Sequence, residues 1–293
     1  PLPEGYRQIG FWNSRSPQSE VPIFERPAGV DVAPDDTIYI VDRQTSRVYH
    51  LDSSGRTLES IDEVQVGPLK DVTASAQRVY VLGSTGGAIY SRDLKNRTAW
   101  TVGGEGLTFD AARNQVLVSR VVSGEARIQG FDPNGGSLGS WRDENFSIST
   151  AFDLDVGPDG RIFLAADGAI YAFRVGGQGG VTANALFQLP SNLEGAELRA
   201  VAVDPAGRVF STFTSSSGFY IGWDGTTRKL LTGAPLQTSG LSGAVSMAVG
   251  PGGGMVFSLN QGGGHKGLAY QSDRGDFKSE PTRWGGSVDA SLG

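Results

Sequence analysis

Acidic residues lie within or just before a short apolar segment that is repeated along the chain. Asp31 stands between two valines in "VDVAP" (30–34), and Asp155 has the same place in "LDVGP" (154–158). Asp71, Glu105 and Asp153 come just before segments of the same kind. Ca²⁺ is bound by six to eight oxygens from carboxylates, carbonyls and water. If the fold brings these strands together, the pattern predicts a candidate Ca²⁺ site with Asp31, Glu105 and Asp155 as ligands.

A structural interpretation competes with the metal site. The same acids can be solvated charges, or charges neutralised by the nearby Lys70 and Arg199, and we favour that interpretation. For acid–base catalysis the candidates are Asp71, Asp153 and His265, the last in the glycine-rich "NQGGGHKG". The chain has no Cys and only two His, which excludes thiol catalysis and a three-histidine zinc site. The other histidine, His50, is predicted on an outward surface.

The segments that carry the acids are repeated. Six of them end at residues 34, 76, 111, 158, 205 and 251, so the spacings are 42, 35, 47, 47 and 46 residues. A period of about 40–50 residues is typical of one four-stranded propeller blade. Each segment precedes a turn and a second strand, for example "TIYIVDR" (37–43) or "RIFLAAD" (161–167), and then a third strand. Period-2 alternation with aromatic and β-branched residues indicates strands rather than helices.

The sequence thus predicts an all-β fold, a six-bladed β-propeller closed by the N-terminal strand. Fourth strands are visible between the segments, and "YRQIGFW" (6–12) supplies the one that the last blade lacks. Such closure removes exposed sheet edges. We assign residues 1–277 to a single propeller domain and residues 278–293 to a polar, glycine-rich tail.

One stretch carries a family resemblance. "RPAGVDVAPDDTIYIVDRQTSRVYHLDSSG" (26–55) resembles an NHL repeat, and "LDVGPDGRIFLAADGAIYAF" and "VAVDPAGRVFSTF" match in part. The resemblance implies a six-bladed propeller related to the SMP30/lactonase-like and YVTN-type propellers. That group includes protein-binding scaffolds, lyases and lactonases that hold a divalent ion. For a lactonase, the resemblance implies that Asn260 would join Asp31, Glu105 and Asp155 as ligands, with Asp71 or Asp153 as base.

In propellers of this kind, the face where the first strands begin usually holds the ligand. The residues that align at that position are Ala28, Lys70, Glu105, Phe152, Arg199 and Val245. The loops between second and third strands should open on the same face. They offer Asp42, Arg43, Arg120, Asp167, Asn260 and Gln261 as candidate binding residues.

Composition limits the partners. A net charge of −6 without a basic run argues against nucleic acid, and no stretch approaches the ~20 apolar residues of a membrane helix. We expect a protein or glycan partner, and a candidate oligomer contact through the tail. Exposed turns include the tripeptide "RGD" (274–276), a motif used in adhesion. The missing Met, the absent Cys and the sequons at Asn96 and Asn145 favour a secreted or periplasmic protein.

Two functions therefore remain open. The first is a non-catalytic binding or scaffolding module for a protein, glycan or larger assembly. The second is a divalent-metal-dependent lactonase or esterase-like hydrolase with its site at the channel mouth. The weak polar constellation and the scarcity of histidine favour the first.

Overall fold

The computed structural model describes residues 7–13, 24–53, 55–142, 148–175, 181–188, 198–213, 219–227, 236–237, 244–260 and 266–272. These residues form strands β1 to β24 and no helix. Among them there is accordingly no apolar helix of membrane-spanning length.

The strands form six four-stranded antiparallel sheets. The first strand of each sheet is an inner strand: β2 (Pro27–Val32), β6 (Leu69–Ala74), β10 (Gly106–Asp110), β14 (Asp153–Val156), β18 (Leu198–Val203) and β22 (Ala244–Val249). Each pairs with a second strand: β3 (Ile38–Asp42), β7 (Arg78–Gly83), β11 (Gln115–Val122), β15 (Ile162–Ala166), β19 (Arg208–Phe213) and β23 (Met255–Asn260).

Two further strands complete each sheet. The third strands are β4 (Arg47–Leu51), β8 (Gly87–Ser91), β12 (Glu125–Phe131), β16 (Ala169–Val175), β20 (Phe219–Asp224) and β24 (Lys266–Ser272). The outer strands are β5 (Thr57–Asp62), β9 (Arg97–Trp100), β13 (Ser137–Trp141), β17 (Val181–Gln188), β21 (Leu236–Gln237) and, in the last sheet, β1 (Arg7–Asn13).

The inner strands follow one another around a closed ring, and β22 contacts β2. This is a β-propeller, as the sequence predicts. The N-terminal strand closes it: β1 pairs antiparallel with β24, with Phe11 opposite Ala269 and Trp12 opposite Leu268. The last sheet therefore joins both ends of the chain, and its outer edge is formed by a segment that precedes the first repeat.

The hydrophobic core is divided among the six interfaces between adjacent sheets. Between the first two sheets, Tyr39 and Val41 pack with Val72 and Val81. Between the last and the first, Ala248 and Val256 pack with Val30, Ile40 and Tyr49. Each second strand is covered on both faces, which explains why "IYIVD" in β3 is buried at every position. Burial on both faces favours continuous apolar runs over strict alternation.

The turns between first and second strands need a left-handed backbone at one residue. Asp36 (φ 63°), Asn114 (φ 51°), Gly160 (φ 75°), Gly207 (φ 80°) and Gly253 (φ 79°) occupy that place in five sheets. Gly adopts this conformation without steric cost, and Asp and Asn tolerate it best among the other residues. The recurring "PDG", "PAG" and "PGGG" of the sequence meet this backbone requirement.

Candidate functional site at the channel mouth

A cavity of about 810 Å³ opens where the inner strands begin. We call it the mouth cavity. All six aligned positions of the repeat line it, namely Ala28, Lys70, Glu105, Phe152, Arg199 and Val245, together with Arg26, Arg43, Leu69, Phe213 and Ala244. The sequence alignment of the blades thus identified one residue from each blade at this mouth correctly.

Four inner strands are irregular at the mouth. In β6 the pairing with β7 skips Lys70, in β18 the pairing with β19 skips Arg199, and in β22 the pairing with β23 skips Val245. In β2 it skips the residues between Pro27 and Val30. A bulge leaves one residue unpaired and re-aims its side chain. Here the unpaired residues are the ones that line the mouth cavity.

Below the rim, small and polar residues alternate around the ring. At the aligned positions, Gly29, Gly106 and Ala200 on odd-numbered blades alternate with Asp71, Asp153 and Ser246 on even-numbered ones. A Cβ at Gly29 would lie 2.2 Å from Oδ1 of Asp71, and one at Gly106 would lie 2.9 Å from Oδ1 of Asp153. The absence of a side chain on one strand is what makes room for the carboxylate of the next.

These carboxylates connect neighbouring inner strands. Asp71 accepts hydrogen bonds from its neighbour's amide, Val72 N (2.9 Å), and from Leu107 N of the next blade (2.8 Å). Asp153 does the same with Leu154 N (2.8 Å) and Val201 N (3.1 Å). A carboxylate that accepts backbone amides satisfies donors that the strand ladders leave unpaired.

A second layer of acids lies deeper in the channel, around a cavity of about 50 Å³. Asp31 accepts hydrogen bonds from Ala74 N (2.7 Å) and Thr73 Oγ1 (2.8 Å) of the next blade. Asp155 accepts them from Val203 N (2.7 Å) of the next blade and from Thr108 Oγ1 (3.1 Å) of the preceding one. Each again joins the strands around the ring.

The channel raises the pKa of all four of its carboxyl groups, those of Asp31, Asp71, Asp153 and Asp155. Burial away from water raises the pKa of Asp31 to about 6, and those of Asp71 and Asp155 to about 7. Burial, followed by the charge of Asp71, raises the pKa of Asp153 well above its ordinary value. Hydrogen bonds from the amides oppose these shifts but do not cancel them. Near neutral pH the channel therefore carries less negative charge than four free carboxylates would.

The predicted metal ligands lie at two levels. Asp31 and Asp155 line the deep cavity, whereas Glu105 lies on the rim, where both its oxygens are 2.9 Å from Lys70 Nζ. In the described part of the chain, no three acidic, His or Cys residues come together in a way that could hold a metal ion. The other predicted ligand, Asn260, ends β23, and its side chain is outside the described part.

Two predicted binding residues, Asp42 and Asp167, organise loops. Asp42 is fully buried and accepts hydrogen bonds from the amides of Glu25 (2.7 Å), Arg26, Gln44 and Thr45. Asp167 directly follows the matching strand of the fourth blade, β15. It accepts from the amides of residues 149 and 150, at 2.6 and 2.9 Å. In each blade the acid fixes the segment that leads into the inner strand, so it positions the mouth without lining it.

The remaining predicted binding residues do not lie together at one site. Arg43 lines the mouth cavity and is exposed. Arg120 in β11 donates instead to Gln129 Oε1 on the adjacent strand (2.6 Å). Gln261 and the catalytic candidate His265 lie outside the described residues, as do the "RGD" turn and the tail.

Cations outnumber unpaired anions at the rim. Lys70 is paired with Glu105, and the guanidinium of Arg199 lies over the ring of Phe152, 4.8 Å from its centre. The backbone of Arg43 donates to Arg26 O (2.9 Å), so these two arginines are adjacent. Neither side chain has an acidic partner among the described residues.

The prediction for His50 was wrong. His50 lies opposite Tyr39 in the β3–β4 pair, and the two rings stack with centres 4.4 Å apart. The side chain is half-buried, and burial lowers its pKa. The imidazole ring therefore packs against the phenol ring of Tyr39 in the neighbouring strand instead of facing solvent on both sides.

Sequence reasoning missed the alternation around the ring and the role of Arg26. The alternation was visible in the aligned positions, where Gly29, Gly106 and Ala200 fall between Asp71, Asp153 and Ser246. Arg26 is the first residue of the NHL-like stretch, and its residue type alone indicates no role. Only the amide contacts of Asp42 show how it is positioned.

Comparison with known proteins agrees on the fold. Neither a family model nor a curated sequence matches the chain. A streptogramin B lyase structure is similar with a TM-score of 0.61 and 12% identity, over 91% of this chain and 97% of that one. A luciferin-regenerating enzyme gives 0.66 and 11%, over 86% and 92%. A chain of a nidogen/laminin complex gives 0.57 and 12%, over 70% and 78%. At such identities the likeness shows the β-propeller fold alone.

Proposed function

We propose that the chain is an NHL-type propeller that acts as a non-catalytic binding or scaffolding module, with the mouth cavity as its recognition site. The partner is a protein, a glycan or a larger assembly. A cavity of about 810 Å³ falls in the range of ligand sites, roughly 300–1,000 Å³. One of the similar structures belongs to a complex of two proteins, nidogen and laminin.

The observation that carries this proposal is that the channel carboxylates are hydrogen-bonded to backbone amides. Both oxygens of Asp71 and of Asp153 already accept backbone amides, and the amides of the next blade hold them in place. These contacts give both acids a structural role in joining the strands of the ring, whereas the exposed residues Arg26 and Arg43 line the cavity.

The test uses a matched pair of charge variants. Arg43→Glu changes the mouth, whereas Arg174→Glu changes an exposed residue at the far end of β16, on the opposite side of the propeller. Glycan and peptide arrays are probed with both variants and the unmodified protein. We expect at least one ligand whose signal is lost with Arg43→Glu and kept with Arg174→Glu. Ligands that respond equally to both variants would contradict the proposal.

A second candidate is a divalent-metal-dependent lactonase or esterase-like hydrolase, possessing Ca²⁺ as its cofactor. It is favoured by the two similar structures that are named as enzymes, and by the pKa of Asp71 near neutrality at the floor of the cavity. On this hypothesis Asp31, Glu105 and Asp155 bind the ion. Hydrolysis of short esters and lactones with added Ca²⁺, lost in both Asp71→Asn and Asp153→Asn, would replace the binding proposal.

A further inference from the structure

The charge of the mouth cavity narrows the ligand class. Four cationic residues line it: Arg26, Arg43, Lys70 and Arg199. Glu105 on the rim is engaged by Lys70 at 2.9 Å from both oxygens, so that pair is neutral. Asp71 and Asp153 are the other acids of the wall, and both oxygens of each accept a backbone amide.

Arg26 and Arg43 form the strongest cationic feature. Their backbones are joined by a 2.9 Å hydrogen bond, and both side chains are exposed at the cavity. Asp42 lies next to them, but its carboxylate is buried and occupied by four backbone amides, including that of Arg26. Two guanidinium groups on a fixed backbone, without an acidic partner in the described chain, suit a carboxylate or phosphate.

Part of the remaining wall is apolar. Phe152, stacked under Arg199, and Phe213 line the cavity together with Leu69, Ala244 and Val245. A cavity that combines apolar walls with a few charged groups is typical of a ligand site. The anionic end of a ligand would face Arg26 and Arg43, and its apolar part would lie against the phenylalanines.

We propose that the mouth cavity binds a carboxylate or phosphate group that a protein partner presents beside an apolar side chain, with the anion held by Arg26 and Arg43. This inference rests on the proposed function, since it names the ligand class of that same cavity.

The test is a calorimetric titration of the full chain at low salt with phenyl phosphate and with benzoate. Benzyl alcohol serves as the neutral probe of similar shape. We expect saturable one-to-one binding of an anionic probe and none of benzyl alcohol. The dissociation constant should rise about ten-fold or more in the Arg26→Gln/Arg43→Gln variant, because a bidentate charge-assisted contact is lost. In Arg174→Gln the dissociation constant should stay within about two-fold of that of the unmodified chain. For the unmodified chain, the dissociation constant should rise with added salt.

Two results would overturn the inference. One is that neither anionic probe shows saturable binding, and the other is that the double variant binds them as well as the unmodified chain does. If a neutral glycan or peptide on the arrays still depends on Arg43, the anionic ligand class is wrong but the recognition site stands. If no array ligand depends on it either, both proposals fail.

Discussion

Gly29 of the first blade faces Asp71 of the second so closely that a Cβ on Gly29 would lie 2.2 Å from Oδ1 and 2.5 Å from Cα of Asp71. The close approach is possible only because one strand has no side chain there. It lets Asp71 reach Leu107 N of the third blade at 2.8 Å. The carboxylate therefore depends on the glycine before it and in turn holds the strand after it.

This contact predicts a large cost for a single methyl group. Gly29→Ala should lower the free energy of unfolding by at least about 2 kcal/mol, since the backbone of Asp71 cannot give way as a flexible side chain would. Gly103→Ala is the control, because a Cβ there meets nothing within 4 Å. Urea unfolding should place the control within about 0.5 kcal/mol of the unmodified chain. Equal effects of the two substitutions would show that the ring is loosely packed.

Asp42 is predicted to stabilise the mouth. Asp42→Ala leaves the amides of Glu25, Arg26, Gln44 and Thr45 without their acceptor, and should cost about 2–4 kcal/mol. The control is Asp62→Ala, which removes an exposed ion pair with Arg47 and should lower the melting temperature much less. Thermal melts of the two variants compare these costs. A similar melting temperature for both would contradict the structural role of Asp42.

The channel acids predict a pH dependence of stability. A carboxyl group whose folded pKa is raised takes up protons on folding, so its stabilising contribution is present below about pH 4 and lost as the pH rises to about 7. Groups with lowered pKa values, such as Asp35 at about 2, act only at lower pH. The melting temperature should therefore be higher at about pH 5 than at about pH 8.

Asp71→Asn tests the source of that dependence. The amide cannot ionise, so the difference in melting temperature between about pH 5 and about pH 8 should shrink by several degrees. His50, whose pKa burial lowers, acts in the opposite direction, so the comparison between the two proteins is the deciding one. An unchanged difference would mean that Asp71 is ionised throughout this range in the folded protein.

Removal of divalent ions separates the two candidate functions. The binding module needs no ion, so a chelator should leave the melting temperature within about 1 °C. An ion present at about 100 times its dissociation constant would stabilise the fold by about 2.7 kcal/mol, equivalent to several degrees. A fall of that size on chelation, reversed by Ca²⁺ and absent in Asp31→Asn, would favour the hydrolase.

The sequence predicts the propeller well because the repeat is local. Strand alternation, turn residues and a period of about 40–50 residues locate the inner strands, and the lead-in positions such as Lys70 and Phe152 follow from their alignment. The functions of individual acids are less predictable. Asp31 and Asp42 both look like free carboxylates in the sequence, yet each accepts amides from residues far away or across a loop. Such contacts depend on bulges and on loop paths that residue type does not encode.

The most direct test takes a ligand selected on the arrays and incubates it with an equal amount of protein. The account predicts that the ligand binds one-to-one and is recovered chemically unchanged. It also predicts that binding is lost in Arg43→Glu but retained in Arg174→Glu and in Asp71→Asn. Conversion of the ligand by the unmodified chain, abolished in Asp71→Asn, would contradict the account and identify the mouth cavity as an active site.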